Sequence, residues 1–319
     1  MPKSEVRKEV PTAPSDERPS LKPHAFARYA WGVLAFNLAV VLWGAYVRAT
    51  GSGAGCGNHW PLCNGEVTPH SPTVATLIEF THRVMTGLDA PLVALLAIWA
   101  FRAFPRRHPV RRAAVLSAIF LVIEALIGAG LVLLERVARN ASAWWQSAHL
   151  INTLTLLAFL TLAAWWAGGK PAVLLRGRAA WLAGLSLAVV AILGVTGAIA
   201  ALGDTLFPAQ SLAAGLTQDW DPSAHIFLRL RGLHPLIAAG AAAWLLFYAI
   251  SSASRRPDVR SRAWTMAACL CAQILAGAIN LLLLAPVWMQ MIHLLLADLL
   301  WISLVLLCAS MLAAKTESV

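Results

Sequence analysis

The stretch Ile78-Glu-Phe-Thr-His-Arg83 places a carboxylate and an imidazole inside a run of otherwise apolar residues. Glu79 and His82 are three residues apart, so on a helix their side chains share one face. An ionisable residue inside a membrane span is costly and by default indicates a functional site. The stretch therefore predicts a membrane helix that carries a functional Glu–His pair.

The composition of the whole chain agrees with a membrane protein. Of its 319 residues, 59% are hydrophobic and 13% are charged, whereas a soluble domain carries about 25% charged residues. Apolar runs of about 20 residues, the length needed to cross a bilayer, recur along the sequence. The predicted fold is all-α, with eight transmembrane helices at 29–48, 75–101, 113–134, 144–167, 179–201, 226–250, 263–284 and 289–311.

The net charge of +10 is distributed in a way that favours membrane orientation over nucleic-acid binding. Lysines and arginines gather in the N-terminal segment, in every second loop and at the C-terminus, and the stretch 202–224 contains none. By the positive-inside rule both termini are then cytoplasmic. The first 28 residues mix acids, bases and prolines, which predicts a disordered cytoplasmic tail and neither a signal peptide nor a transit peptide.

The loop after the first span contains two cysteines that are seven residues apart. Cys56 and Cys63 lie on the outer side by this topology, in an oxidising compartment, which favours a disulfide between them. The alternatives are two unpaired thiols, or a metal site completed by His59. A small exposed bridge of this kind is more typical of a labile disulfide than of a structural one.

Four histidines reveal an internal repeat. His82 and His234 are 152 residues apart, and His149 and His293 are 144 apart, as are Gln146 and Gln290. Because four spans separate each pair of equivalents, the halves share one orientation. The chain is therefore predicted to form two tandem four-helix bundles, related by a pseudo-two-fold axis along the membrane normal.

The same four histidines all fall early in even-numbered spans, which places them in the outer half of the membrane, roughly 5–15 Å deep at 1.5 Å per residue. Each half then supplies two imidazoles from two helices at similar depth. Facing imidazoles in a helical bundle suit bis-His ligation of a haem iron. Zinc fits less well, because two histidines fall short of its three or four protein ligands. The remaining histidines are predicted to be solvated: His24, His59, His70, His108 and His225.

The two halves differ beside their first histidine. The first half has Glu79 three residues before His82, and the second half has Arg231 at that place, with Arg229 two residues earlier. Arginines at the edge of a haem pocket suit the ring propionates. A carboxylate beside the ring can instead move protons or stabilise a cationic intermediate. One half is thus predicted to transfer electrons and the other to carry the reaction.

Taken in order, these residues resemble the haem A synthase family, membrane enzymes that convert haem O to haem A. The resemblance covers nearly all of 29–311. It rests on features in one order along the chain: the turn Arg48-Ala-Thr-Gly-Ser-Gly-Ala-Gly-Cys56 followed by Cys63, the motif Glu79-x-x-His82-Arg83, His149, Gly203-Asp204-Thr205, His234 and His293.

The resemblance implies oxidation of the C8 methyl of haem O to a formyl group, by two hydroxylations and loss of water. It implies that His82 and His149 flank haem O, with Glu79 assisting, and that His234 and His293 hold a permanent haem b. It also implies that the Cys56–Cys63 pair takes part in redox transfer or in receiving haem. Some relatives have a second cysteine pair after span five, whereas this chain has Cys269, Cys271 and Cys308 within spans.

On this interpretation the chain divides into five segments. They are a tail at 1–28, the substrate-haem half at 29–167, a cytoplasmic linker at 168–178, the haem b half at 179–311 and a tail at 312–319. The partners expected are membrane lipid, the haem O-producing enzyme, an electron acceptor and a second copy of the chain.

Two other functions stay open. One is a dihaem b-type cytochrome that exchanges electrons with quinone, and the other is a non-catalytic haem transporter or assembly protein.

Overall fold

The computed structural model describes residues 23–134 and 142–313, and the regular secondary structure within these ranges is helical apart from two isolated β-bridges. Eight of the described helices are long and apolar enough to cross a membrane, which confirms the predicted fold class of a multi-pass helical membrane protein. The helices are α1 Pro23–Ala49, α2 Val74–Ala103, α3 Pro109–Leu133, α4 Ser142–Ala167, α5 Gly177–Leu206, α6 Leu212–Trp220, α7 Ile226–Arg255, α8 Arg260–Leu282 and α9 Val287–Leu312.

The spans pack as two closed sets of four. In the first half α1 and α3 each pack against both α2 and α4, and in the second half α5 and α8 each pack against both α7 and α9. The halves meet along α4 and α9, which are the most buried spans. Across this seam the indole Nε1 of Trp301 donates a 2.7 Å hydrogen bond to the backbone oxygen of Leu154. The symmetry axis along the membrane normal stays a prediction.

Predicted helix bounds differ from the structure by up to six residues, and two of the differences change the assignment of a segment. Helix α1 begins at Pro23, so 23–28 belongs to the helix and not to the tail. Phe26 is fully buried there, with its ring 5.7 Å from that of Trp99 and 5.1 Å from that of Phe104, because its apolar ring extends the core. The rest of the predicted N-terminal tail, 1–22, lies outside the described residues, as do 135–141 and 314–319.

The second difference lies in the stretch 202–224. Helix α5 continues to Leu206, and the connection that follows forms the short helix α6. The hydroxyl of Ser211 starts α6 by accepting a 3.2 Å hydrogen bond from the backbone nitrogen of Ala214, which satisfies one of the free donors at a helix start.

Connections between consecutive spans alternate between the two ends of the bundle. The end that carries the cysteine loop, residues 50–73, also carries α6 and the α8–α9 connection, and we call it the loop end. The α2–α3, α4–α5 and α7–α8 connections lie at the opposite end. That end carries exposed basic side chains in its connections and in the adjoining helix ends: Arg28, Arg102, Arg106, Arg107, Arg112, Lys170, Arg176, Arg178, Arg255 and Arg260.

Because the seam between the halves depends on buried contacts of α9 with α4, we predict that Trp301→Phe destabilises the protein. The substitution removes a buried hydrogen bond, worth about 0.5–1.5 kcal/mol, and shrinks a buried ring. The expected result is a lower unfolding temperature in detergent, measured by intrinsic fluorescence. Trp264→Phe is the control, because Trp264 is half exposed on the outside of α8 and its replacement leaves the temperature unchanged. Equal unfolding temperatures for the two variants would contradict the role given to Trp301.

Candidate functional site

The four repeated histidines all lie at the loop end of the bundle. His82, His149, His234 and His293 each fall within the first nine residues of α2, α4, α7 and α9 respectively. Because these four helices start at the loop end, the imidazoles share a similar depth. The structure thus brings the predicted ligands to one level of the bundle, two in each half.

In the first half each imidazole lies against a glycine of a neighbouring helix. A Cβ at Gly44 of α1 would lie 2.9 Å from Cε1 of His82, closer than side chains pack. A Cβ at Gly128 of α3 would lie 3.7 Å from Nε2 of His149. Gly44 therefore lets the His82 ring sit directly on the backbone of α1.

The second half repeats this arrangement. A Cβ at Gly197 of α5 would lie 3.1 Å from Cε1 of His234, and one at Gly277 of α8 would lie 2.9 Å from Cε1 of His293. Each of the four histidines therefore has a glycine on an adjacent helix of its own half. This shared packing gives the sequence repeat a structural counterpart.

The histidines are also paired in space within each half. His82 lies within electrostatic range of His149, and His234 lies within range of His293. The Nδ1 atoms of His82 and His293 are buried without a hydrogen-bond partner among the described residues. Nδ1 of His234 lies 3.0 Å from the hydroxyl of Thr196 on α5. Each half therefore presents two imidazoles, one of which has an Nδ1 atom without a partner among the described residues.

His149 differs from the other three because it contacts a carboxylate. Its Nδ1 lies 3.1 Å from Oε1 of Glu124 on α3. Oε2 of Glu124 accepts a 2.5 Å hydrogen bond from the Asn152 amide, and Oε1 also accepts one from the Thr153 hydroxyl. Glu124 lies within the predicted third span, where the sequence shows no partner for it, and the structure places it beside a predicted ligand.

Glu79 is buried between the cysteine loop and α2. Its Oε2 accepts a 2.9 Å hydrogen bond from the backbone nitrogen of Cys56. Its Oε1 forms an ion pair with Arg83, one turn further along the helix. Nη1 of Arg83 in turn donates to the backbone oxygens of His59 and Leu62 in the loop. Glu79 and Arg83 thus connect the loop to the helix turn that carries His82.

Cys56 and Cys63 form a disulfide, as the sequence predicted, and both side chains are buried. The loop packs tightly on the start of α2, since a Cβ at Gly55 would lie 2.4 Å from the backbone oxygen of Ala75. The Thr76 hydroxyl donates a 2.8 Å hydrogen bond to the backbone oxygen of Gly55. The disulfide therefore lies directly beside Glu79, in the first half.

Arg231, a predicted propionate ligand, lies in an ion-pair network. Its guanidinium is 2.6 Å from Oδ1 of Asp219 in α6 and 3.3 Å from Oδ1 of Asp204 in α5. It also donates to the backbone oxygen of Phe207. Arg229 donates to the backbone oxygen of Pro222. A haem propionate at Arg231 would compete with these two carboxylates, and propionate binding by Arg231 stays a prediction. The network also joins α6 to α5 and α7 at the loop end.

Arg48 links the two halves at the loop end. Its guanidinium donates to the backbone oxygen of Ala201 at 3.0 Å, to the Thr205 hydroxyl at 3.3 Å and to the side-chain oxygen of Gln290 at 3.4 Å. All three acceptors belong to the second half. The sequence identified Arg48 only as part of a turn motif, because nothing in it indicates that the side chain crosses the seam.

Two other acids lie deeper among the spans. Asp89 accepts a 2.9 Å hydrogen bond from the Asn37 amide of α1, and its second oxygen is buried without a partner among the described residues. Asp298 is also buried, and its Oδ2 has no partner there. Neither contacts one of the four histidines.

Of the five histidines predicted to be solvated, three are exposed: His24, His59 and His70. The prediction was wrong for His108 and His225, which are half-buried. Each lies just before a helix start, where its Nδ1 accepts a 3.3 Å hydrogen bond from a backbone nitrogen two residues later. Within the described part of the chain, His, Cys, Asp and Glu side chains form no cluster of three or more that could hold a metal ion.

Relatives of this chain share its sequence over different lengths. A protoheme IX farnesyltransferase of Thermus thermophilus is 50% identical over 300 residues, which cover 92% of this chain and 49% of the relative. Heme A synthase of Exiguobacterium sp. is 39% identical over 129 residues, 39% of each chain. Heme A synthase of Shouchella clausii is 45% identical over 95 residues, 30% of this chain and 32% of the relative. The chain thus spans about half the length of the Thermus relative that it matches.

The match to a protein family covers most of the chain. Residues 27–305 match the COX15-CtaA family, described as cytochrome oxidase assembly protein. This range includes the four repeated histidines, Glu79 and both disulfide cysteines. The resemblance to haem A synthases found from the motifs is confirmed by this match and by several curated relatives of that name. The chain therefore belongs to the COX15-CtaA family of cytochrome oxidase assembly proteins.

Proposed function

We propose that this protein is a haem A synthase, which oxidises the C8 methyl of haem O to a formyl group. The observation that carries the proposal is the difference between two otherwise repeated histidine sites. In both halves two histidines come together and each packs against a glycine of an adjacent helix. Only the first half adds Glu79 and a disulfide beside its site. A reaction site and an electron-transfer site on one scaffold explain this difference.

The residues fit haem in both halves. Gly44, Gly197 and Gly277 let the imidazoles of His82, His234 and His293 pack directly against a neighbouring helix, which holds each ring in place. Nδ1 of His82 and Nδ1 of His293 are buried without a hydrogen-bond partner among the described residues. Each site offers two imidazoles, as bis-His haem ligation requires.

In this assignment His82 and His149 bind the substrate haem O, and His234 and His293 hold a haem b. Haem b supplies a one-electron carrier in the second half. His234 is oriented by the Thr196 hydroxyl, and the helix packing around Gly277 positions His293. Arg229 is proposed to donate to a propionate, since its exposed guanidinium contacts one backbone oxygen of the α6–α7 connection.

The proposed role of Glu79 is in the chemistry. Two hydroxylations of the methyl carbon give a gem-diol, which loses water to leave the formyl group. Each oxidation removes electrons and a proton from that carbon, so positive charge develops there. Glu79 lies about one helical turn before His82, on the same helix face, where a carboxylate can stabilise that charge or accept the proton.

The Cys56–Cys63 disulfide is proposed to take part in redox transfer or in receiving haem. The hydrogen bond from the Cys56 backbone nitrogen to Glu79 supports this, because a change in the loop would reach the carboxylate directly. The cysteines within spans, Cys269, Cys271 and Cys308, do not form a second pair in the structure. The proposal therefore uses a single disulfide.

The proposed partners follow from the substrate. The protoheme IX farnesyltransferase of Thermus thermophilus contains a region 50% identical to this chain in 49% of its length, which leaves about half of that protein outside the match. We propose that the enzyme that makes haem O acts next to this protein and delivers haem O to it. Electrons leave to an acceptor that this chain does not identify.

The proposed location is a bacterial cell membrane, with the loop end outside. The basic connections at the opposite end support a cytoplasmic position for that end, and a disulfide is favoured outside the reducing cytoplasm. Haem O would then be oxidised near the outer surface of the membrane.

The deciding experiment is haem extraction and chromatography from cells that make haem O but no haem A of their own. Haem A is expected only when this chain is expressed. Purified protein is expected to carry a mixture of haems B, O and A. Haem B alone, in two copies per chain and with no haem A in the cells, would instead support a dihaem cytochrome.

We predict that His234→Ala or His293→Ala abolishes low-spin haem b absorption, because each removes one of the two axial imidazoles. Absorption and EPR spectra of the purified variants measure this. His225→Ala is a matched control, since His225 is half-buried near the start of the same helix as His234 but lies outside the histidine pair. A full bis-His spectrum in either of the first two variants would overturn the assignment of the second half.

We predict that Glu79→Gln lowers the rate of haem A formation by about a hundredfold to ten-thousandfold while haem O binding survives. Haem O or a hydroxylated intermediate should accumulate, with haem b unchanged. Glu66→Gln is the control, because Glu66 is an exposed acid of the same loop that pairs with His70. Mass spectrometry without reductant should find the disulfide intact in both variants.

Two outcomes would contradict this role for Glu79. A normal yield of haem A from Glu79→Gln removes the carboxylate from the mechanism. Loss of all bound haem O, with the disulfide intact, makes Glu79 a binding residue.

A further inference from the structure

The carboxylate of Glu124 is held in place on every side by donors. The His149 Nδ1, the Asn152 amide and the Thr153 hydroxyl all contact it, and no acceptor does among the described residues. An ionised carboxylate accepts hydrogen bonds and donates none, so this arrangement suits a charged Glu124. Because the proton on the shared bond belongs to Nδ1, the Nε2 lone pair of His149 is free for a ligand.

The second half carries an amide at the equivalent place. Glu124 and Gln273 are 149 residues apart, as are Gly128 and Gly277, so the pattern Glu-x-x-x-Gly recurs as Gln-x-x-x-Gly. Both glycines lie against the histidine of the following span. Nε2 of the Gln273 amide lies 3.4 Å from Nε2 of His293, so Gln273 contacts the other ring nitrogen from the one that Glu124 contacts in His149. The repeat thus preserves the position and changes its charge.

The neighbours of the other imidazoles add no charge. His234 contacts the neutral hydroxyl of Thr196, and Nδ1 of His82 and of His293 have no partner among the described residues. In that part of the chain Glu124 is accordingly the one carboxylate in contact with any of the four histidines.

A carboxylate on the far nitrogen of a ligating histidine changes the iron that the histidine binds. It fixes the ring orientation and makes the imidazole a stronger donor. A stronger, more negative donor set favours ferric over ferrous iron, which lowers the reduction potential. A neutral amide at the same place lacks this effect.

We propose that Glu124 is a positioning residue that acts through His149 to hold the reduction potential of the first-half iron below that of the second-half iron. The inference rests on the proposed function for the identity of the two haems. With haem bound in both halves, His82 and His149 would hold the haem of lower potential and His234 and His293 the haem of higher potential, so one electron would pass from the first half, which would be oxidised, to the second, which would be reduced. Glu124 thereby sets the direction in which electrons leave the half that carries the substrate.

The test is a potentiometric titration of the full chain, purified in detergent and loaded with hemin, followed by absorption spectroscopy. Glu124→Gln copies the second half at this position and keeps the shape of the side chain. It should weaken the preference for ferric iron about tenfold, the lower end of the effect expected of such a partner, and so raise the first-half potential by about 59 mV. The second-half potential should not move. The signal lost in His82→Ala identifies the first-half site.

Gln273→Glu is the reciprocal variant, and it should lower the second-half potential by a comparable amount. It also decides the question if Glu124→Gln fails to retain hemin. The inference is overturned if Glu124→Gln keeps its bis-imidazole spectrum with an unchanged first-half potential, if both potentials move together, or if Gln273→Glu leaves the second-half potential unchanged.

This readout does not depend on haem A formation. A wild-type protein that makes no haem A overturns the proposed function, and the potentials of the hemin-loaded variants still decide the role of Glu124. Conversely, normal haem A formation with unshifted potentials overturns the role of Glu124 alone.

Discussion

The close contact of each imidazole with the backbone of a neighbouring helix is the constraint on which the rest of this structure depends. A histidine in a membrane span must be enclosed by protein, since lipid offers it no hydrogen bond. Here the enclosure is a glycine on an adjacent helix, and at Gly44 and Gly277 even a methyl group would collide with the ring. The four contacts fix how near α1, α3, α5 and α8 come to the helices that carry the histidines.

The charged side chains at the loop end must likewise be enclosed by protein. Glu79 pairs with Arg83, Glu124 contacts His149, and Arg231 lies between two aspartates, so each of these charges meets its partner inside the protein. Such pairs are costly to break, because the remaining charge would be left in a medium of low dielectric constant. They also tie connections to spans: the cysteine loop is joined to α2 through Glu79, and α6 is joined to α7 through Arg231. The cysteine loop and α6 are thus each tied to a helix that carries one of the histidines.

The sequence predicted what depends on local pattern and missed what depends on contacts between distant segments. Span number, the histidine repeat and the disulfide follow from apolar run length, spacing and composition, and the structure bears out the fold and the disulfide. The partners of Glu124, Arg48 and Arg231 could not be predicted, because each lies on another helix whose rotation is set only by packing. The start of α1 was placed too late because Phe26 is followed by polar Arg28, although the ring is fully buried. One available signal was overlooked: aligning the halves on their third spans places Gln273 opposite Glu124.

Around the repeated histidines and glycines, the two halves differ in the charges that they carry. The histidines and their glycines recur, whereas Glu79 is replaced by Arg231, Arg83 by Pro235 and Glu124 by Gln273. Each change replaces or removes a charge within about a turn of helix from a histidine or its glycine. A haem site depends on its ligands for binding and on nearby charges for potential and reactivity. If both histidine pairs hold haem, as proposed, these charge differences would give the two sites different properties. The first half carries two carboxylates beside its histidines. Glu79 lies next to the disulfide loop, and Glu124 contacts His149. On the proposed function, these substitutions, together with the disulfide loop of the first half, would give the two sites of the repeat different roles.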